Sequence, residues 1–275
     1  MKVFLASSRQ TVRPLQSLIR CSSVEAFLPP LLGLFLLLVI WVLAGWAIAH
    51  DPATAAFAGF APLPTLACLS AMIIDGSIMR ALLPSAARVG TGLGFAILIG
   101  APLGVLIARN RFVRDVTHVP FQLLRMVSPL AWMPIAILMF PTWDSAIIFL
   151  ITAAAVWPII FATANGLKKL DPDWFKVAHN LGAGFRHVLT AVIIPAIAQD
   201  ILTGIRLALG VAWIVLVPAE YLGVTSGLGY AINDARDTLE YDRLAAFVLV
   251  IGLIGFLFDS LLLALIKRTS WARHD

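Results

Sequence analysis

In "LRMVSPLAWMPI", residues 124 to 135, a guanidinium, a hydroxyl and an indole (Arg125, Ser128 and Trp132) interrupt an otherwise apolar run. Arg206 in "GIRLALGVAW", Glu220 in "VPAEYLG" and Asp259 in "GFLFDSLLL" interrupt others. A charge in a poorly hydrated setting is expensive, so each of these reaches a polar boundary, meets an opposite charge, or serves a passing solute. Arg125 and Arg206 therefore either extend to a headgroup layer or face a polar path. Glu220, two residues after Pro218, is either an exposed acid at a helix end or part of an outer gate. Asp259 must pair with an arginine or a backbone donor. None of these groups assembles into a catalytic set. The chain has no G-x-x-x-x-G-K-[ST] loop to cradle nucleotide phosphates, no nucleophile elbow and no pair of zinc ligands on one helix. No catalytic residue and no metal ligand is assigned.

Helices that cross a membrane must position these groups. Of the 275 residues 60% are apolar and only 13% charged, too few charges for a hydrated surface. A bilayer core of about 30 Å needs roughly 20 apolar helical residues. Six runs supply them, near residues 28–49, 84–108, 118–140, 145–167, 198–222 and 244–266. The expected fold class is an all-α polytopic membrane protein of six spans. A short N-terminal segment, 1–27, precedes a transmembrane domain over 28–270. The first run is too long and starts too late for a cleaved signal, despite Ala47 and Ala49 flanking Ile48, and reads as a retained anchor.

Lys and Arg gather after the second, fourth and sixth runs and before the first, whereas the alternate loops carry Asp51, Asp75, Asp144, Asp234, Asp237, Glu240 and Asp242. That asymmetry predicts both termini and the basic loops on the cytoplasmic side. It also absorbs most of the net charge of +5, so no nucleic-acid partner is implied. The two cysteines, Cys21 and Cys68, fall on opposite sides and cannot pair. Residues 51–83 carry three prolines and are expected to lie along the membrane surface. Pro120, Pro129 and Pro134 predict a kinked third span able to line a path. Gly100 and Gly104 form a G-x-x-x-G pair suited to close helix packing.

Between the fourth and fifth runs stands a polar stretch, "KKLDPDWFKVAHNLGAGFRHVLTAVIIPAI". Asp171 is placed to cap a helix opening at Pro172, Asp173 favours its positive end, and Gly182 supplies the permissive residue just past its close. Trp174, Val177, Ala178 and Leu181 recur at spacings of three and four and give that helix one apolar face. A second helix is expected from Ala183 or Gly184 toward Pro195, which ends or kinks it. Such a hairpin is either a membrane-surface element or a docking knob for another protein.

The stretch resembles the "EAA" loop of the permease subunits of bacterial ABC importers: E-A-A, three residues, Gly, nine residues, I-x-L-P. Lys176, Val177 and Ala178 hold the first three positions, Gly182 the glycine, Val192 the isoleucine, and Ile194 and Pro195 the final pair. Lys176 and Val177 depart from the family residues. "RMVSPLAWMPIAIL", "AVWPIIFATANGL" and "LTGIRLALGVAWIVLVPAEYLGVTSGLGYAI" are similar to the nitrate, sulfonate and taurine permease group, and "VSPLAWMP" most to its nitrate, cyanate and bicarbonate branch.

This resemblance implies a type I ABC importer permease in a bacterial inner membrane, paired with a second permease copy as a homodimer. It implies cytoplasmic ATPase subunits that bind ATP and Mg, since this chain binds no cofactor, and a periplasmic or lipid-anchored binding protein. The loop 168–195 would couple to the ATPase through Asp173, Lys176, Val177, Ala178, Gly182, Ala183 and Pro195. A small anion would meet Arg125, Arg206 and Arg88, with Trp132 and Trp213 shaping the walls and Ser128 and Glu220 on the path or gate. A self-contained channel or secondary transporter is the competing class; neither an inverted repeat nor midplane half-helices are evident for it.

Overall fold

A computed structural model describes residues 23–271, and every regular element among them is helical. The first, α1 (Ser23–His50), is apolar on all sides, and most of its large side chains face outward, as expected of a helix bathed in lipid. Its far end is pinned by Trp41 Nε1, which donates to Phe60 O at 2.9 Å in the short 3-10 turn Ala55–Phe60. α2 (Pro62–Ile74) opens on a proline and has 13 residues, too few to span. In the turn that follows, Asp75 Oδ1 accepts the Ser77 N–H at 2.8 Å, which holds the Asp75 carboxyl below its ordinary pKa.

α3 (Ser77–Arg109) and α6 (Trp143–Lys168) form the centre of the bundle. Gly92 faces Ile151, Gly100 faces Ile159, and Gly104 faces Ile160 and Thr163, so the two helices run parallel. A β-carbon at Gly104 would lie 2.7 Å from Ile160 O, which shows why the G-x-x-x-G pair is needed. The parallel course fixes the topology between them. The chain leaves α3 at one end of the bundle and enters α6 at the other, and must therefore cross back.

That crossing is not the single kinked helix over 118–140 that the prolines suggested. α4 (Arg111–Met126) starts earlier, and a 3-10 turn (Pro129–Trp132) and α5 (Met133–Met139) complete the pass after a bend of 89°. Proline disfavours the helical region for the residue before it, and Val127 and Ser128 leave that region, with ψ of 126° and 129°. The span is broken rather than bent.

After α6 come the loop helices α7 (Pro172–Asn180) and α8 (Phe185–His187), then a π-helical segment, Val188–Ile193, which runs directly into α9 (Ile194–Gly223). Pro195 does not end the second helix as expected; it sits at the second position of α9, where the missing N–H follows a change of hydrogen-bond period. α9 is antiparallel to α6, with Gly204 against Ala162 and Gly166 against Asp200. α10 (Leu228–Asp237) folds back over the end of α9, and α11 (Tyr241–Trp271) returns beside it. Trp213 Nε1 donates to Ile251 O at 3.2 Å, and Phe57 and Phe60 pack on Tyr241.

Five helices and the broken pair thus make six passes. The start of α1, Arg109, Lys168, the α7 loop and the end of α11 share one end of the bundle, which is rich in Lys and Arg. Asp51, Asp75, Asp144, Asp234, Asp237, Glu240 and Asp242 share the other. Ala96, Ala136, Ala146, Ala155, Ala208 and Ala212 are all fully buried, and these small residues let α3, α5, α6 and α9 approach closely. Cys21 and most of the segment 1–27 lie outside the described residues.

Candidate functional site

The α7 loop is built much as its sequence reads. Asp171 Oδ1 accepts the Asp173 N–H at 2.9 Å and caps the helix. At its close Gly182 takes φ +74°, and the Ala183 N–H reaches Ala178 O at 3.0 Å, the six-to-one bond of a left-handed helix stop. Lys176 Nζ meets Asp173 Oδ1 at 2.7 Å on the exposed side, a surface pair of small energetic weight. Ala178 is only 8% exposed, and it seats the helix. Trp174, Val177 and Leu181 are 52%, 57% and 81% exposed, an apolar stripe that nothing among the described residues covers. Phe175 and Ala183 turn the other way, toward Arg109 and Leu167, across a cavity of about 500 Å³.

Inside the bundle a second, half-open cavity of about 780 Å³ opens between the broken span, α6 and α9. Its α6 wall is a stripe of every fourth residue, Phe149, Ala153, Trp157, Phe161 and Asn165, one face of a helix. Thr203, Leu207 and Val211 repeat that spacing on α9. The broken span supplies Arg125, Pro129 and Trp132. The Arg125 guanidinium lies 5.2 Å from the centre of the Phe161 ring, and Phe121 meets Trp157 edge to face, with ring centres 5.2 Å apart. At the basic mouth Lys169 Nζ pairs with Asp200 Oδ1 at 2.6 Å. The cavity therefore offers a cation on an aromatic wall, with amide and hydroxyl groups nearby.

The other residues read as path or gate lie elsewhere. Arg88 and Glu220 form a buried clamp near the acidic end. Arg88 Nη1 donates to Glu220 Oε1 at 2.6 Å and to Ser226 O at 2.8 Å, Nε donates to Asp144 Oδ1 at 2.7 Å, and Nη2 donates to Ser226 Oγ at 2.9 Å. Ser85 Oγ lies 2.8 Å from both Glu220 carboxylate oxygens, and the Gly229 N–H donates to Oε2 at 2.9 Å. Glu220 is fully buried, so the expected exposed helix-end acid is not what forms. A bare carboxylate there would be prohibitive, and the clamp gives each of its two oxygens a donor, Arg88 for Oε1 and the Gly229 N–H for Oε2. Gly227 belongs to the same knot: at φ +113° it passes so close that a β-carbon would touch the Glu220 carboxylate.

Arg206 makes a two-pronged bond to Asp259, at 2.6 and 2.7 Å, which identifies the partner that Asp259 required. Trp213 packs between α9 and α11 rather than into the cavity, and Ser128 sits at the break itself. Sequence reasoning missed Trp157, Asn165 and Thr203 as lining residues, and Ser85 and Asp144 as clamp members. The first three carried a signal in their four-residue spacing; the clamp pairs residues up to 138 positions apart and left none.

The model of the family "Binding-protein-dependent transport system inner membrane component" matches residues 100–271. The bicarbonate transport permease CmpB of Synechococcus elongatus is 35% identical over 188 residues, 68% of this chain and 67% of its own. The taurine permease TauC of Escherichia coli is 34% identical over 199 residues, 72% of each chain. The nitrate import permease NrtB of a Synechocystis strain is 32% identical over 175 residues, 64% of each chain. Among solved structures, a chain of the inward-facing methionine ABC transporter MetNI superposes with a TM-score of 0.59 at 16% identity, covering 70% of this chain and 95% of that one. It carries the same type I importer fold. The chain therefore belongs to the inner membrane components of binding-protein-dependent ABC importers, in the group that holds the bicarbonate, nitrate and taurine permeases.

Proposed function

We propose that this permease, with a second copy of itself, forms the path by which a small anion of the nitrate, nitrite, cyanate or bicarbonate type enters a bacterial cell. The observation that carries the reading is Arg125, a guanidinium held on Phe161 in the wall of a largely apolar cavity. Attraction to an anion is stronger in such a site than in water, while a single guanidinium in the wall, with Lys169 at the mouth paired to Asp200, keeps the affinity low enough for release. The Lys and Arg of the basic end support its being the cytoplasmic one, with both termini inside. There the exposed stripe of α7 would seat in a separate ATPase that binds ATP and Mg. A periplasmic or lipid-anchored protein would deliver the anion at the acidic end. Nucleotide-driven movement of α7 passes through the π segment into α9 and so reaches the cavity wall. A taurine-like sulfonate is the second reading, favoured by the indole surface of Trp132 and Trp157 beside the guanidinium.

The test is reconstitution of the permease with its ATPase and binding protein in proteoliposomes, followed by ATP-driven uptake of labelled nitrate, bicarbonate and taurine. Saturable uptake of an inorganic anion, abolished by Arg125→Glu, is expected. Uptake by the permease alone, without nucleotide, would overturn the proposal, and preference for taurine would select the second reading.

A further inference from the structure

We infer that the groove between α3 and α9 at the basic end is a binding site for an anionic phospholipid. The groove encloses about 930 Å³ and runs from Ile97 to Arg109, about 18 Å at the helical rise of 1.5 Å per residue. Its walls are aliphatic, including Val105, Leu106, Ile194 and Ile201, and it ends at Arg109 and Arg111. A long apolar trough closed by two guanidiniums at a membrane boundary fits an acyl chain with an anionic headgroup, and fits a compact solute poorly. Arg111 is also the first residue of the 16-residue α4, whose leading N–H groups at Phe112 and Val113 are capped by Asn110 Oδ1, so a phosphate there would be held by the guanidinium, which the positive helix end leaves in want of an anion.

A second observation points the same way. Thr91, Thr117, Thr152, Thr190 and Thr203 each donate to the carbonyl one helical turn back, which is how a hydroxyl in an apolar helix is satisfied. Thr163 is fully buried, lines this groove, and its Oγ1 has no partner. An unanswered buried hydroxyl is costly, and a small shift of the groove wall on lipid entry would bring a glycerol-ester oxygen within reach to accept from it. A second copy of the chain is a worse occupant. A two-fold axis along the membrane normal sets both copies' arginines at the same depth, where like charges would face each other. Because Leu189, Ile193 and Ile194 also line the groove, the lipid would touch the root of the α7 loop and so tune its coupling.

The experiment uses the intact permease–ATPase complex, relipidated with phosphatidylcholine alone or with added phosphatidylglycerol and read by native mass spectrometry. Selective retention of phosphatidylglycerol is expected, weakened about fivefold in Arg111→Gln, the effect of removing one basic residue near a membrane surface. Leu106→Trp fills the trough without altering charge and should abolish retention; Ile194→Trp replaces it if the first variant lowers the yield of complex. Equal retention of the two lipids, or retention unchanged in Arg111→Gln and the trough-filling variant, would overturn the proposal. So would an efficient Leu106→Cys cross-link between two permease copies, since the groove would then be a protein contact.

Discussion

The guanidiniums of this permease are chemically alike and differ only in what surrounds them. Arg88 and Arg206 are matched by carboxylates, whereas Arg125 is held by an aromatic ring that leaves its charge available. Substitution should therefore separate them. Arg125→Gln should lower ATP-driven uptake by about tenfold, the low end expected for losing one hydrogen bond to a charged group, while thermal unfolding in detergent stays unchanged. Glu220→Ala should do the opposite: it strands Arg88 in a buried site, and breaking such a pair destabilises by about 3–5 kcal/mol, measurable as a lower denaturant midpoint. For Arg206 and Asp259, either single neutral substitution should reduce the yield of inserted protein, and exchanging the two residues should restore it. If the exchange gives no recovery, the pair is not the reason for their positions.

At the scale of elements, backbone chemistry decides what is continuous. Pro129 breaks the third span, and Gly182 stops α7 in a conformation that side chains resist. Gly182→Val should cost about 1–3 kcal/mol locally. It should also reduce stimulation of the ATPase in reconstituted membranes without changing insertion. These punctuation marks were readable in the sequence, as were the cap at Asp171, the apolar stripe of α7 and the need for six passes. The bend at Ser128 was not. Prolines announce that a helix is disturbed, and only the parallel packing of α3 on α6 shows that the disturbed segment must still cross. The clamp was invisible for a related reason: Ser85, Arg88, Asp144 and Glu220 meet through tertiary packing and have no periodicity to reveal them.

For the whole molecule, the segregation of charge is the boldest feature. It predicts that a cysteine at Leu239 is labelled by an impermeant maleimide in intact cells, and one at Leu181 only after the membrane is opened, with Cys21 and Cys68 first replaced. Labelling of Leu181 from outside would reverse the orientation and with it the role of α7. Some 70% of the chain overlays a structural neighbour of 16% identity, which fits a fold set by buried small residues rather than by particular side chains. Individual chemistry enters where the fold leaves space, in the cavity, the clamp and the lipid groove.

The six residues of π helix between the loop and α9 carry a geometrical debt. Each of their hydrogen-bonded rings holds one residue more than an α-helical ring does. Were all six to relax to the ordinary pitch, everything before them would swivel by about 100° around the helix axis, one residue's worth of α-helical turn. The exposed face of Trp174 and Val177 would then point away from its seat. Deleting Thr190 removes the surplus and should keep that aim, whereas an alanine inserted beside it should leave the bundle assembled and the motor idling at its unpartnered rate. The aim of the handle is thus set by a single surplus amino acid.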